Sequence, residues 1–594
     1  MYHADRKGTA PHGASVLGLE PNADQVKLYH IDYDHGRDSQ GDRMADIAPR
    51  RLSRRALLGG AAIIGVGGAA YALRGGARME RHAVTDAKTL NRGNNAEPDT
   101  LDPHQADSVW ENNIIGDMLI GLMADDAAGQ PIPGAAESYS ASEDGLTYTF
   151  KLRDHFWSDG VKVTAHDFVY SFRRVLLPKT AAQYATILYP IKNAEALNAG
   201  NAPPEALGVR AIDDMTLEIT FSSEVPYITQ LLTHYATFAV PRHVVEKHGK
   251  DWTKPENIVT NGPYILAEWV SGDHVKLTKN PRFYDKESVK IDTVFFYPTQ
   301  DASAAVKRFR GGELDVVTDS VPPQQTQWLK REIPNELRLH SYMLTQYVVF
   351  NFTRKPFDDL RVRKALSLAI DREMIVAKIT RGGELPAYSL VPPNMPFYPK
   401  RAELEFKPAS MAARIAEAKA LLNEAGFNAI HPLRFVFDIQ TTTEAKIVAV
   451  ALQEMWRAIG ADVRLALSES QVHYNSMRRQ DFDAAWAGWS ADYRDPKNFL
   501  FSFQSSTKDL NFGAYKNSEY DDLMNRSDLE RDPVARAELL RQAEQRMLDD
   551  MAVAPVYFGV TRDLVSTEVM GWLGNDLNVH RSRYLWLDRR QSST

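Results

Sequence analysis

DGLTYTFKLRDHFWSDGVKVTAHDFVYSFRRV, residues 144–175, opens on an alternation of apolar and polar side chains. In LTYTFKL (146–152) the residues Leu146, Tyr148, Phe150 and Leu152 fall on one side and Thr147, Thr149 and Lys151 on the other. A period of two is that of a half-buried strand. DMTLEITF (214–221) repeats the pattern after an Asp-Asp turn, and the whole span 140–240 reads as a β-rich lobe of its own. DTVFFYP (292–298) and RYLWL (583–587) are further strand candidates.

Outside that lobe the period changes. SMAARIAEAKALLNEAGF (410–427) has a capping serine at Ser410, a stop at Gly426, and Ile415, Ala418, Leu421 and Leu422 on one face. That is an amphipathic helix with both end signals. TEAKIVAVALQEMWRAIG (443–460) repeats the design and stops at Gly460. DDLRVRKALSLAIDREMIVAKI (358–379) and VARAELLRQAEQRMLDDM (534–551) are two more long helical regions. The segment 391–399, with four prolines, is read as a surface loop or part of a binding wall. Helices alternating with strands predict an α/β protein.

At 594 residues the chain is too long for one core, so several domains are expected. A net charge of -7 gives no basic field for nucleic acid. With no cysteine the chain has no disulfide, no thiolate metal site, no cysteine nucleophile and no lipid-carrying cysteine. The 24 Tyr, 24 Phe and 10 Trp are enough for ligand pockets as well as cores.

Residues 51–73, RLSRRALLGGAAIIGVGGAAYAL, follow Arg50 as a basic segment and then an uncharged run from Ala56 to Leu73. Ala70-Tyr71-Ala72 is a small-x-small cleavage candidate, so 44–77 reads as an export signal. Arg54-Arg55 after Ser53, with Leu57 and Leu58 following, resembles a twin-arginine signal. The Gly content of the run argues against a retained membrane anchor. Met44 just before the arginines is the expected start, with 1–43 an untranslated or unfolded extension. Its His3, His12, His30 and His35 have no metal-ligand spacing.

Motifs for catalysis are missing. There is no G-x-S-x-G elbow and no phosphate loop, and the glycines of 59–68 lie inside the signal. His243-x-x-Glu246-x-His248 departs from H-E-x-x-H and is crowded by Arg242, Lys247 and Lys250, so it reads as a charged helix end. Asn351-Phe352-Thr353, a formal glycosylation sequon, carries no weight beside a bacterial-type export signal. No cofactor, metal or catalytic residue is assigned, and a binding protein is favoured over an exported hydrolase or a metal or haem carrier.

Several stretches, in order and in register, resemble the extracytoplasmic solute-binding proteins of peptide ABC transporters, the dipeptide/oligopeptide/nickel-binding family. They are the opening stretch, LDPHQADS (101–108), GAAESYS (134–140), EVPYITQLLTH (224–234), NIVTNGPYIL (257–266), RVRKALSLAIDR (361–372), LLNEAGF (421–427) and AGWSADYRDP (487–496). The resemblance implies an α/β fold of the periplasmic-binding-protein type, with two large lobes on a hinge and an inserted β-rich third. Lobe I would comprise 80–119, 243–343 and 582–594, lobe II 120–242, and lobe III 344–581. It implies a monomeric periplasmic receptor that captures oligopeptides for an inner-membrane permease driven by cytoplasmic ATPases. Recycling of cell-wall (murein) peptides is the alternative use.

A carrier of varied peptides must hold their common parts, the backbone and the charged ends. Backbone pairing gives affinity without sequence choice, and a desolvated ammonium needs a carboxylate. Asp492 matches the family's aspartate for the peptide amine, and Gly488 and Ser490 match its backbone-pairing strand. Trp489 would line a side-chain pocket, with a core tryptophan as the other reading. Asp107, Ser108 and Val109 match the opposing edge; Tyr342, Tyr347 and Asn351 match the lobe crossover; Tyr184 matches a lobe II contact. Where a relative of the family has basic residues for the peptide carboxylate, this chain has Trp486 and Thr380, with Arg381 and Arg478 nearby as substitutes. Where that relative pairs two cysteines, this chain has Leu344 and Ser490.

Overall fold

The computed structural model describes residues 87–589, except 319–320, 394, 397 and 508–509. The extension 1–43, the export signal 44–77 and the last five residues, 590–594, lie outside the described residues.

Among the described residues, eleven strands join into one mixed sheet. They include β1 (Thr89–Gly93) and, beyond a small separate sheet, β6 (Tyr264–Val270), β7 (His274–Lys279), β8 (Thr293–Tyr297) and β9 (Val316–Val317). The small sheet comprises β2 (Ala136–Ala141), β3 (Thr147–Leu152), β4 (Val209–Asp213) and β5 (Thr216–Thr220) in the order β2-β3-β5-β4. The large sheet continues with β10 (Leu337–Phe350), β11 (Leu385–Pro386), β12 (Leu433–Gln440), β13 (Ala461–Ser468), β14 (Ala484–Ser490) and β15 (Val553–Val565). Its order is β13-β12-β14-β10-β15-β9-β1-β8-β7-β6, with β11 on β15. The long strands β10 and β15 run through both halves, antiparallel to each other and bulged between Ser341 and Thr345.

The stretch that opened the sequence reading makes β3 and then α2 (Ala165–Leu176), after α1 (Val109–Met118). Phe150 and Leu152 of β3 are buried, and Phe168, Phe172 and Val175 of α2 pack into the same core. That core runs without a break from the small sheet to β1 and β6–β8. A second core fills the other half, from β10 to β15.

The helix signals behave as physics requires. Beyond α3 (Leu360–Leu368), α4 (Met411–Glu424) starts where Ser410 Oγ accepts the Ala413 N–H at 3.3 Å, and α5 (Thr443–Ala458) starts where Thr442 caps Ala445. Gly426 and Gly460 end them at φ 91° and 95°, a left-handed geometry that glycine adopts without strain. After α6 (Ser470–Arg478), α7 (Pro533–Asp549) is capped by Asp532.

Three readings change. The helix expected over 358–379 is broken after α3: Asp371 Oδ1 accepts the Met374 N–H at 2.9 Å and a wide turn, Ile375–Thr380, follows. The fully buried Arg372 fills the break, donating to the carbonyls of Ser367, Ile370, Ala387 and Pro555. The strand expected over 583–587 shrinks to Trp586–Leu587, preceded by a tight turn. The Ser582 N–H there is taken by Asp117 Oδ1 at 2.8 Å and so cannot enter a ladder. The described residues of the proline-rich 391–399 are mostly packed inward and none of them lines the cavity described below. Val391 and Tyr398 are buried, and Glu544 of α7 accepts the N–H groups of Leu390 and Val391 and the Tyr398 hydroxyl.

Candidate functional site

β14 ends at Ser490, and the chain turns at once into Asp492. The buried Asn498 holds this corner. Its Oδ1 accepts the Asp492 N–H at 3.1 Å and the Trp489 indole N–H at 3.0 Å, and its Nδ2 donates to Asp492 Oδ2 at 3.3 Å. The Ala491 N–H donates to the Met343 carbonyl at 2.8 Å, tying the corner to β10. Burial pushes the Asp492 carboxyl up to about 6, against the Asn498 bond that favours its charged form. A carboxylate so placed gains most from a ligand cation.

Gly488, Trp489, Ser490, Ala491 and Asp492 line one wall of a cavity of about 230 Å³. Across it stands the N-terminal edge of α1, with Asp107, Ser108 and Val109. Glu111 fixes that edge by accepting the N–H groups of Asp107 at 2.9 Å and Ser108 at 3.2 Å. A third wall carries Tyr184, His234 and Tyr235, whose rings pack 4.8 Å (Tyr184–His234) and 4.2 Å (His234–Tyr235) apart. Burial drives the His234 imidazole down to about 3, so it is neutral, and drives both tyrosine hydroxyls up. Asp492 adds to the upward shift of both tyrosines.

The acids facing this space are Asp107, Asp125 and Asp492. The cation at its wall, Arg581, is already engaged. It donates to the Asn112 carbonyl at 2.7 Å and to Asn112 Oδ1 at 3.0 Å, and lies 3.8 Å from Asp125. The cavity therefore suits a small cationic group among aromatic and amide surfaces.

Sequence reasoning placed Asp492, Gly488, Trp489, Ser490, Asp107, Ser108, Val109, Tyr342 and Tyr184 in one site, and the structure brings these together. Tyr342 Oη lies 3.4 Å from Ser490 Oγ. Trp489 serves both readings, since it lines the cavity and packs at 5.6 Å on Phe501. Gly488 has a further reason to be glycine: a Cβ there would sit 2.7 Å from Gln346 Oε1. Leu344 and Ser490 are directly opposed across β10 and β14, as a cross-strand pair would be.

Five candidates lie outside this cavity. Tyr347 is buried against Phe503 in the core. Asn351 is fully buried and donates to the carbonyls of Gln480 and Phe482, a strand-end brace that also removes the sequon from the surface. Trp486 is buried beside Tyr557. Arg381 is exposed on a left-handed turn at φ 56°, and Arg478 is exposed at the end of α6, donating to Asn475. None of the five lines the cavity. Sequence reasoning missed Thr233 and His234, at the end of a stretch it had quoted, Tyr235 just beyond it, Ala491 within another, and Asn112, Asn113, Asp125, Leu577, Asn578, Val579 and Arg581, which no motif marks. His243 meets Asp159 at 2.8 Å, and among the described residues no three His, Asp or Glu converge as a metal site.

Residues 130–511 match the family model described as bacterial extracellular solute-binding proteins, family 5 Middle. The chain is 41% identical over 497 residues to the periplasmic oligopeptide-binding protein OppA of Salmonella typhimurium, covering 83% of this chain and 91% of that one. The crystal structure of Haemophilus influenzae OppA in complex with RPPGFSPFR is similar with a TM-score of 0.78 at 35% identity, covering 85% of this chain and all (100%) of the other. The Escherichia coli murein tripeptide binding protein MppA is similar with a TM-score of 0.79 at 32% identity, covering 85% and 99%.

Proposed function

The chain belongs to the bacterial extracellular solute-binding proteins of family 5, and from that premise we propose that it is a periplasmic receptor that captures oligopeptides and delivers them to an ABC permease. The observation that carries this reading is the corner at Asp492. A half-buried carboxylate, its charge opposed by burial and its neighbour the neutral Asn498, faces a cavity of about 230 Å³ that suits a small cationic group. A peptide ammonium would restore the ionised form and gain a charge-assisted hydrogen bond. The half-buried end of β14, with Gly488 and Ser490, would pair with the ligand backbone.

In this proposal 80–119, 243–343 and 582–594 form lobe I, 120–242 lobe II and 344–581 lobe III, and closure of the lobes traps the ligand. The segment 44–77 directs export through a twin-arginine route. Recycling of murein peptides is a second reading, favoured by the absence of a basic side chain at Trp486 and Thr380.

Native mass spectrometry of the purified mature protein tests the proposal, with co-purified peptides as the expected result. A thermal-shift series follows, because a ligand of the folded state raises Tm. Free-amine peptides should raise it and their N-acetyl forms should not. Equal shifts from both would remove Asp492 as the anchor.

A further inference from the structure

The backbone groups of β14 point alternately to its two sides, and one side is open for only part of its length. The Ala491 N–H donates to the Met343 carbonyl of β10 at 2.8 Å. Residues two apart in an antiparallel ladder turn their N–H and C=O groups the same way. Ala485, Ala487 and Trp489 therefore turn toward β10, and Trp486, Gly488 and Ser490 turn away from it. On that outer edge β12 pairs at Phe437–Ala484 and Asp438–Ala485 and then parts from β14. β12 runs on to Gln440 and β14 to Ser490 with no strand between them among the described residues.

Two side chains of α6 fill the inner part of that gap. The buried His473 sets Nε2 2.8 Å from the Trp486 carbonyl, and against a carbonyl this nitrogen must carry the proton. Burial lowers the imidazole below its ordinary value, so the donor is neutral and stays in place at neutral pH. Tyr474 comes next. Burial raises its hydroxyl, while Gln440, Arg478 and the Gly488 backbone oppose that rise, which sets the hydroxyl beside the Gly488 N–H. At the outer end the Asp492 N–H goes to Asn498. Ser490 and the Gly488 carbonyl remain for a ligand, about 7 Å of strand. The cavity ends at the same place: from β14 it takes Gly488, Trp489 and Ser490 and nothing earlier.

A ligand with its amine at Asp492 runs antiparallel to β14 along this edge. Its residues 1 and 3 then fall opposite Ser490 and Gly488, and its residue 5 opposite Trp486. We propose that the third residue is the last that the strand can pair, because His473 and Tyr474 close the edge beyond it, and that the ligand class is short peptides whose affinity saturates at three residues. The inference rests on the reading of Asp492 as the amine anchor. Residues past the third still lose conformational freedom on binding and meet no open backbone group in return, so they add no affinity.

Calorimetry on the full mature chain tests this with di-, tri-, tetra- and penta-alanine amides, whose far ends carry no charge at any length. Affinity should rise about fivefold or more from the di- to the tri-amide and then hold within about twofold. In the penta-amide, N-methylation of residue 3 removes the N–H that meets the Gly488 carbonyl and should cost about fivefold. N-methylation of residue 5 should cost nothing. In His473→Ala the Trp486 carbonyl loses its donor, and N-methylation of residue 5 should then cost about threefold, a change that a merely weakened fold would not produce. The parent chain alone decides the limit: a penta-amide about tenfold tighter than the tri-amide, or a parent sensitive at residue 5, overturns it. Insensitivity at residue 5 in a folded His473→Ala overturns the part given to His473. N-acetyl probes separate the two readings: sensitivity to acetylation with no plateau at three residues sinks only the length limit. Indifference to acetylation, or no binding by any probe, sinks the amine anchor and the limit with it.

Discussion

Asp492 is worth more than its contacts suggest because its burial is only half compensated. Asn498 supplies a neutral hydrogen bond, and the carboxyl is raised to about 6. Asp492→Asn should weaken free-amine peptides by about 3–5 kcal/mol, the cost of breaking a buried ion pair. Calorimetry should show this loss while N-acetyl peptides bind the variant and the parent alike. The same shift sets two opposite pH trends. Ligand binding needs the charged form, so below about pH 6 affinity should fall by up to about tenfold per pH unit. Without ligand the sign reverses. Between its ordinary value and about 6 the folded carboxyl keeps a proton that the unfolded chain has lost. Its contribution to stability is therefore present at low pH and lost as pH rises through about 6. Asp492→Asn should flatten both trends, read from Kd and from ligand-free Tm across that window. A variant with the parent's pH profile would mean that another group titrates.

At the scale of elements, legibility follows burial. The strand β3 and the helices α4, α5 and α7 could be read because each keeps one face in water and so shows its period. The central strands could not. β14 reads AAWAGWS and is buried on both faces for its first four residues, and β15 is buried almost throughout. Strands covered on both sides lose the alternation, and an alanine run has no strand propensity to replace it. The amine corner was legible through its motif, yet the strand that delivers it was not. The break after α3 was hidden for another reason: its repair is tertiary. Arg372 looks like a helix-favouring surface residue, but it is fully buried and satisfies carbonyls from Ser367, Ala387 and Pro555. Burial lowers its guanidinium to about 10, still charged at neutral pH. Arg372→Leu strands those carbonyls, and with each unpaired group costing about 1–3 kcal/mol, unfolding free energy should drop by several kcal/mol. Urea unfolding followed by tryptophan fluorescence measures it; a loss within about 0.5 kcal/mol, as at ordinary surface positions, would show the break is held otherwise.

For the whole molecule, the cavity joins residues near 107, 184, 234, 490 and 580, a separation that no local pattern encodes. What links them is the run after the amine anchor. Tyr493 stacks on Tyr227 at 4.6 Å with planes 7° apart. The Arg494 N–H donates to Gln230 Oε1 at 2.7 Å, its Nε to Asp576 Oδ1 at 2.7 Å, and its Nη1 to the Gly129 carbonyl. Asp495 pins the loop to α7 through Arg536 at 2.7 and 2.9 Å. Residues 129, 227 and 230 belong to the proposed lobe II, and Asp492 to the proposed lobe III, so the tetrapeptide that begins with the proposed amine anchor also clasps the other proposed lobe. Arg494 is not among the residues that line the cavity, so its loss should spare recognition and loosen closure. Arg494→Ala should raise the peptide off-rate about tenfold or more with the on-rate changed far less, because interface losses fall mainly on dissociation. Stopped-flow tryptophan fluorescence separates the two rates, and an N-acetyl control shows that dependence on the amine survives. A slowed on-rate with an unchanged off-rate would mean that Arg494 shapes the open cleft and does not hold the closed one.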